Sequence, residues 1–301
     1  MDAVYEINGK TRSVRELLFN QKYSIDYYQR EYKWETKHVQ ELIDDLSSKF
    51  LEFYKEKHER SGVAKYGHYF LGSIIISIKN SQKYIIDGQQ RMTTLTLLLI
   101  FLHNLQKKNN AKEETVKVDD LIYSEQFGKK SFNIDVDERA HFMESLFNSK
   151  IPDVSEASES LQNIVARYQD IAENYPEELQ NNTLPYFIDW LIEKVHLVEI
   201  TTYSDDDAYT IFETMNDRGL SLSPTDMLKG YLLANITDED LRNKAARKWK
   251  GWIKKFQDIG KDDEANFFKS WLRSQYARDI RERKRNAKPG DFDRLGTEFH
   301  R

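Results

Sequence analysis

A short polar segment at residues 87–91, set between apolar runs on both sides, constrains the fold of this chain more than any other feature. Residues 69–78 and 84–86, which precede it, are rich in β-branched and aromatic side chains, as β-strands are. Residues 95–102, which follow it, are apolar at nearly every position, which is typical of a buried helix. The pattern therefore predicts a strand, a tight turn and a helix that hold polar side chains inside a domain.

The segment itself reads Asp-Gly-Gln-Gln-Arg, and its members need partners if they are buried. An unpaired polar group in a protein interior costs about 1–3 kcal/mol, and an unpaired charge costs more. Gly88 allows a tight turn, and the free amides at the start of a helix can bind an anion. Two interpretations are open: Asp87 and Arg91 pair with each other at a purely structural corner, or the corner binds a ligand.

A second polar cluster lies near the N terminus, where aromatic and polar residues alternate between Tyr23 and Glu35. The alternation predicts an extended segment, followed by a helix that Thr36 caps and that continues past Leu46. The aromatic side chains could line the core. They could equally form a platform on which a base stacks while Arg30 contacts phosphate, and periodicity does not distinguish the two.

A third polar cluster, Asn-Asp-Arg-Gly at residues 216–219, follows a helix that Ser204 is predicted to cap. The next predicted helix, capped by Ser223, carries Lys229. Residues 195–200, which precede this region, predict a strand that returns to the first sheet. Two arginine-containing turns, a third arginine beside aromatic residues and a helix N terminus are together suited to hold a polyphosphate.

The composition of the 301 residues limits the classes of function. Cysteine is absent, which excludes disulfides and thiolate metal sites and favours an intracellular protein. The seven histidines lack metal-site spacing, and a His-Asn-His nuclease signature is absent, so we expect that this chain does not cut DNA by itself. Neither a signal peptide nor an apolar run of bilayer length is evident, so we expect a cytoplasmic protein without a membrane partner.

Charge is distributed unevenly along the chain. The formal net charge is −5, yet residues 241–288 contain 16 Lys and Arg against 6 Asp and Glu. Such an asymmetry favours an anionic partner for the C-terminal part of the chain. The alternative is a pair of helices whose lysines are simply solvated.

In this order, the three polar clusters resemble the N-terminal domain family of GmrSD-type modification-dependent restriction systems. The family pattern has Tyr-Gln-Arg-x-Tyr-x-Trp near the start, then Asp-Gly-Gln-Gln-Arg, then Phe-x-x-(Met/Leu)-Asn-x-Arg-Gly-x-x-Leu running into Asp-x-Leu-Lys. Here these motifs lie at residues 28–34, 87–91, 212–222 and 226–229. The resemblance covers most of residues 5–235.

The resemblance implies an α+β fold, with a ParB/sulfiredoxin-like mixed α/β lobe built on a small sheet and followed by a mainly helical lobe. We place the first lobe, which carries the Asp-Gly-Gln-Gln-Arg motif, at residues 1–110. The second lobe, residues 111–301, would contribute the Asn-x-Arg-Gly motif and a strand back to the first lobe.

The resemblance also implies an NTPase that binds and hydrolyses a nucleoside triphosphate with Mg²⁺. GTP, UTP and CTP are all open as its substrate. It would thereby gate a His-Asn-His nuclease domain, located either in the full-length chain or on a partner subunit. DNA, in modified form, is the implied partner, and a homo-oligomer is also open.

Named residues follow from the same resemblance. Asp87 would hold Mg²⁺ or a water that the neighbouring glutamines orient. The expected catalytic residues are Asp87, Gln89, Gln90 and Arg91. The expected nucleotide-binding residues are Tyr28, Gln29, Arg30, Tyr32, Trp34, Gly88, Thr93, Thr94, Asn216, Arg218, Gly219 and Lys229.

Two other functions compete with this one. A non-catalytic module would read a modified base at the aromatic cluster and bind DNA phosphates with residues 241–288. It predicts salt-dependent DNA binding without NTP turnover. A protein-interaction scaffold that uses the helical lobe is the third hypothesis. Because no nuclease half follows within the 301 residues, we also expect this chain to be a fragment of a longer protein.

Overall fold

The computed structural model contains two compact units, the first of which comprises residues 1–25 and 31–212. The second unit contains the last two helices of the described chain. The structure describes residues 7–25, 31–109, 115–126, 129–203, 207, 211, 228–229, 232–233, 236, 238–257, 259–260 and 263–276.

A six-stranded mixed sheet forms the frame of the first unit, in the order β1-β8-β3-β4-β2-β7. Strand β3 lies next to β8 in parallel and next to β4 in antiparallel orientation. A separate antiparallel pair consists of β5 and β6. The strands are β1 (Asn8–Ser13), β2 (Tyr23–Ile25), β3 (Tyr69–Lys79), β4 (Gln82–Asp87), β5 (Tyr123–Gln126), β6 (Lys129–Phe132), β7 (Ile134–Asp135) and β8 (Val195–Thr202).

The strands predicted from residues 69–78, 84–86 and 195–200 are confirmed as β3, β4 and β8. β8 pairs with both β1 and β3, so a late segment of the chain completes the middle of the sheet. Successive side chains at the centre of β3, Ile74, Ile75 and Ile76, are all buried, so both faces of the sheet are covered there, which explains the continuous β-branched run.

Seven α-helices have their bounds within the described part of the first unit. They are α1 (Val14–Leu18), α2 (Thr36–Leu51), α3 (Gln89–Lys108), α4 (Asp119–Ile122), α5 (Asp137–Phe147), α6 (Glu159–Asn174) and α7 (Leu184–Lys194). The helix predicted from Thr36 past Leu46 is confirmed as α2, but Glu35 and not Thr36 occupies its N-cap. The predicted buried helix is confirmed as α3, which is buried almost throughout its apolar run. The caps predicted at Ser204 and Ser223 lie outside the described residues. The α+β fold class is therefore confirmed, whereas the ParB-like character and the lobe boundary near residue 110 stay predictions.

The core of the first unit lies between α3, α2, α6, α7 and the sheet. Leu97, Leu99 and Ile100 of α3 have no exposed surface. Phe50 of α2 contacts Phe187 of α7 edge-to-face, with ring centroids 5.4 Å apart. Full burial of each such side chain contributes about 1.5–3 kcal/mol, so α3 is held firmly and can present its N-terminal turn at a fixed place.

The second unit contains α8 (Glu239–Gln257) and α9 (Asp263–Tyr276). Their aromatic faces meet: Trp249 stacks on Phe268 with ring centroids 5.0 Å apart, and Phe256 contacts Phe267 at 4.8 Å. An apolar cavity of about 440 Å³ opens between the two helices. Of the helices that the structure describes, in either unit, none has the length and hydropathy needed to cross a bilayer.

Candidate functional site

The polar corner is built where β4 ends and α3 begins. Asp87 is the last residue of β4, and Gly88 links it to α3 with φ +89°, in the left-handed region. A Cβ at Gly88 would lie 2.5 Å from Cγ2 of Ile74 on β3. Backbone conformation and close packing therefore both require glycine here, and together they bring Asp87 beside the first turn of α3.

Asp87 carries a carboxyl group that its surroundings do not favour in the ionised state. Burial raises the pKa of this carboxyl above its ordinary value of 3.8. The amide of Gly88 donates to the carboxylate and the charge of Arg91 attracts it, and both lower the pKa by less than burial raises it. A cation brought to this position would therefore relieve an existing electrostatic cost.

Arg91 lies against an irregular part of β3. Its Nη1 donates to the carbonyl oxygen of Ser73 at 2.6 Å. The guanidinium packs on Gly72, where φ is +104° and a Cβ would lie 3.2 Å from Cζ. The pairing of β3 with β8 shifts register between Phe70 and Ser73, which makes room for this contact.

Asp87 and Arg91 do not form a direct ion pair, although each affects the charge of the other. Burial lowers the pKa of the Arg91 guanidinium, and its Nε and Nη2 donate to no acceptor within the part of the chain that the structure describes. The observed geometry therefore does not agree with the interpretation in which Asp87 and Arg91 pair with each other. Arg91 and Asp87 are instead two partly desolvated groups that lie near each other, and the Arg91 guanidinium keeps donors that could bind a ligand.

Gln90 holds the segment of the second polar cluster by its main chain. Its Oε1 accepts from the amides of Lys33 (2.9 Å) and Trp34 (3.3 Å), and its Nε2 donates to the carbonyl oxygen of Glu31 (2.8 Å). Gln89 is buried and lies about 200° around α3 from Arg91, since successive helical residues differ by about 100°. Gln90 thus positions residues 31–34, and Gln89 points to another side of the helix than Arg91.

Tyr32 and Thr94 lie in the core. The Tyr32 hydroxyl contacts Thr94 Oγ1 at 2.9 Å, and burial raises the pKa of Tyr32 to about 12. The main-chain amide of Tyr32 donates to Ser160 Oγ, and its carbonyl accepts from Asn163 of α6. Of the two roles that the sequence left open for these aromatic residues, Tyr32 takes the core-lining one.

Trp34 is half-buried, and its ring stacks on His38 with centroids 5.9 Å apart. Arg167 of α6, which belongs to none of the sequence motifs, holds the main chain of Trp34 in place through its side chain. Arg167 donates to the Trp34 carbonyl at 3.1 Å and to Thr36 Oγ1 at 3.0 Å, and it pairs with Asp170. The hydrogen bonds to Trp34 and Thr36 join residues 133 and 131 positions apart, so no local pattern could have indicated them.

The structure describes only some of the remaining predicted site residues. Six of them lie outside the described residues: Tyr28, Gln29, Arg30, Asn216, Arg218 and Gly219. Lys229 is half-buried and belongs to the second unit. Thr93 is buried on α3, and its hydroxyl accepts from Arg139 of α5 at 3.4 Å. The convergence of Arg30, Arg91 and Arg218 on one cavity stays a prediction.

Replacement of Gln90 by Ala should destabilise the protein by about 1–3 kcal/mol, because it removes three hydrogen bonds to the main chain of residues 31–34, two of which are partly buried. Urea denaturation measures the change in the free energy of unfolding. Gln40→Ala is the matched control, since the side chain of Gln40 bonds only Asp44 on the surface of α2. Equal stability of the two variants would show that Gln90 does not hold the segment.

Asp87→Asn should be more stable than the wild-type protein at neutral pH. In the wild type the folded-state pKa is raised, so the cost of ionising Asp87 appears as pH rises from 3.8 through the folded-state value. Well below pH 3.8 the Asp87 carboxyl is protonated in both the folded and the unfolded protein, so the stability advantage of the variant should disappear. Urea titrations of both proteins from acidic to neutral pH test this, and a constant difference across the range would contradict it.

The model of the family described as GmrSD restriction endonuclease, N-terminal domain, matches residues 14–233, which is more than half of the chain. The match includes residues 28–34, 87–91 and 216–219. No curated protein matches the chain.

Proposed function

Because the chain belongs to the family of GmrSD restriction endonuclease N-terminal domains, and so to a restriction endonuclease system, we propose that it binds and hydrolyses a nucleoside triphosphate at the start of α3. Hydrolysis would gate a His-Asn-His nuclease domain in the full-length chain or on a partner subunit. The DNA substrate of that system would carry modified bases.

One observation carries the proposal: Asp87 and Arg91 are both desolvated and close enough to affect each other's charge, yet they are not paired. Burying a charge without a direct partner is costly. The cost is explained if a ligand supplies the missing charges. A triphosphate with its Mg²⁺ supplies both, an anion for Arg91 and a cation for Asp87.

The donors for the phosphate oxygens are available at the corner. Arg91 keeps Nε and Nη2 for a phosphate while Nη1 holds Ser73. The amides of Gln90 and Arg91, in the first turn of α3, have no intrahelical acceptor, and the positive end of the helix dipole faces the same space. Hydrogen bonds from the Arg91 guanidinium and from these amides would strengthen as negative charge builds up on the phosphoryl oxygens during hydrolysis.

Asp87 fits a Mg²⁺ that it shares with phosphate. Mg²⁺ is usually held by one or two carboxylates together with substrate phosphates and water, and the corner offers one carboxylate. Among the described residues no group of three or more His, Cys, Asp or Glu forms an all-protein metal site. The contribution of Gln90 is to hold residues 31–34. A role of Gln89 in orienting the attacking water stays a prediction, which its position on another side of α3 than Arg91 does not support.

Incubation of the 301-residue chain with ATP, GTP, CTP or UTP tests the proposal. Phosphate release is measured with Mg²⁺ or with EDTA, and with modified DNA, unmodified DNA of the same sequence, or no DNA. We expect at least one triphosphate to be hydrolysed with Mg²⁺ and none with EDTA. If no triphosphate is hydrolysed or raises the Tm under any of these conditions, the proposal fails.

A second candidate, a non-catalytic module that senses modified DNA, is favoured by one feature of the second unit. Trp252 of α8 is 54% exposed, and Nζ of Lys255 lies 4.9 Å from the centre of its ring. Exposed aromatic and cationic side chains together suit stacking on bases and contact with phosphates. The module would bind DNA with a steep dependence on salt concentration and without triphosphate turnover.

A further inference from the structure

Arg139 of α5 is a cation that belongs to none of the three sequence motifs. Its Nη1 donates to Thr93 Oγ1 of α3 at 3.4 Å, which is long for an N–H···O hydrogen bond. Within the described ranges this is the one hydrogen bond of its guanidinium, and no carboxylate forms an ion pair with it. The side chain nevertheless lies between two helices rather than in open water.

The environment of Arg139 does not favour its charge. Burial lowers the pKa of its guanidinium, and the charges of Glu138, Glu31 and the Tyr32 hydroxyl raise it only from a distance. Arg167, also close enough to act on Tyr32, has in contrast a full set of partners in Asp170, Thr36 and a carbonyl oxygen. Of these two arginines, Arg139 is therefore the one held at a cost to stability.

Thr93 adds a second donor at the same place. The neighbouring threonines Thr94 and Thr96 donate their hydroxyl hydrogens to the carbonyls of Gln90 and Met92, at 2.9 Å and 3.0 Å. Thr93 accepts from Arg139 and donates to no atom in the described part of the chain. An anion beside the guanidinium could therefore take hydrogen bonds from both side chains.

The location connects this pair to α3. Thr93 lies one helical turn, about 6 Å along the axis, from the first residue of α3. It is also about 160° around the helix from Arg91, so the two arginines flank the start of one helix from opposite sides.

We propose that Arg139 and Thr93 form a phosphate-binding subsite, which takes a phosphate group of the nucleotide. This inference rests on the proposed function for the nucleotide itself. Glu31 and Glu138 partly balance the charge of Arg139 while the subsite is empty. The bound phosphate forms a charge-assisted hydrogen bond with the guanidinium and joins α5 to the N-terminal part of α3.

Substitution of Arg139 by Met separates this role from a structural one. Because methionine replaces a desolvated charge by an apolar chain of similar length, Arg139→Met should unfold at the same or a higher urea concentration than the wild type. The affinity of this variant for the triphosphate that the wild type hydrolyses should fall about tenfold or more, since a hydrogen bond to a charged group is lost. Arg139→Lys should keep part of the affinity, and Thr93→Val should weaken binding by a smaller factor.

Arg60→Met is the matched control. It removes an arginine that pairs with Asp189 of α7, away from the start of α3, so it should lower the urea midpoint and leave the nucleotide affinity of the folded protein close to that of the wild type. The inference is overturned if Arg139→Met binds the triphosphate as the wild type does. It is also overturned if Arg139→Met weakens only DNA binding, or if its loss of affinity merely follows a loss of stability equal to that of Arg60→Met.

Pyrophosphate distinguishes a failure of this inference from a failure of the proposed function. If the wild type binds no triphosphate, the proposed function fails, and pyrophosphate then tests the subsite alone. Pyrophosphate that raises the Tm of the wild type but not of Arg139→Met would support the subsite. Equal shifts for the two proteins, or no shift for either, would overturn it.

Discussion

Asp87→Asn should lower triphosphate hydrolysis by about 10²–10³-fold while the protein stays folded. Asparagine keeps the shape of the side chain and can still accept from the Gly88 amide, so the turn into α3 is preserved. It removes the negative charge that would hold Mg²⁺ against the phosphates. Phosphate release at saturating Mg²⁺ and triphosphate measures the loss.

The stability of the same variant makes this result unambiguous. Asp87→Asn is expected to be inactive and yet more stable at neutral pH, a combination that damage to the fold cannot produce. Asp189→Asn is the matched control, because Asp189 pairs with Arg60 away from the α3 corner. It should lose stability and keep turnover. Hydrolysis by Asp87→Asn at the wild-type rate would remove Asp87 from the reaction.

Arg91→Lys should show a similar loss of turnover. Arginine reaches Ser73 with one nitrogen and keeps two others for a ligand. Lysine has a single ammonium group, which cannot reproduce this forked geometry. Turnover by Arg91→Lys close to that of the wild type would show that a point charge is sufficient at this position.

Gly88→Ala should have the largest effect on stability, a loss of about 2–5 kcal/mol. A left-handed conformation costs a residue with a Cβ about 1–2 kcal/mol, and overpacking against a filled core adds about 1–3 kcal/mol. The neighbour is Cγ2 of Ile74, 2.5 Å away, and Ile74 has no exposed surface, so it has little room to move.

Gly9→Ala is the control for Gly88→Ala. Gly9 lies on an exposed part of β1, and nothing is within 4 Å of a Cβ placed there. Urea denaturation of both variants gives the two changes in the free energy of unfolding. If Gly88→Ala were no less stable than Gly9→Ala, neither the left-handed backbone nor the contact with Ile74 would be needed at the corner.

The elements around the corner could be predicted because their signals are local. The apolar runs at residues 69–78 and 95–102 were long enough to identify a buried strand and a buried helix, and both are confirmed. The fold class and the family could also be predicted from the sequence, the family because its motifs occur in order. The strand and the helix each depend on residues close together in the chain, and each family motif is itself a short segment that can be read without knowing the fold.

The partners of the polar side chains could not be predicted in this way. Arg91 donates to a carbonyl on β3, Gln90 binds the main chain of residues 31–34, and Tyr32 enters the core beside α6. Periodicity fixes the side of a helix on which a side chain lies, but it does not fix what that side meets.

The sequence by itself thus determined that a polar corner follows a buried strand and opens a buried helix. Only the tertiary structure decided that Asp87 and Arg91 are near each other without pairing, and that Arg139 meets Thr93 across 46 positions of the chain. The reason is physical: hydrogen bonds and desolvation depend on distances of a few ångströms. Those distances are set by how distant helices and strands pack, which no single segment encodes.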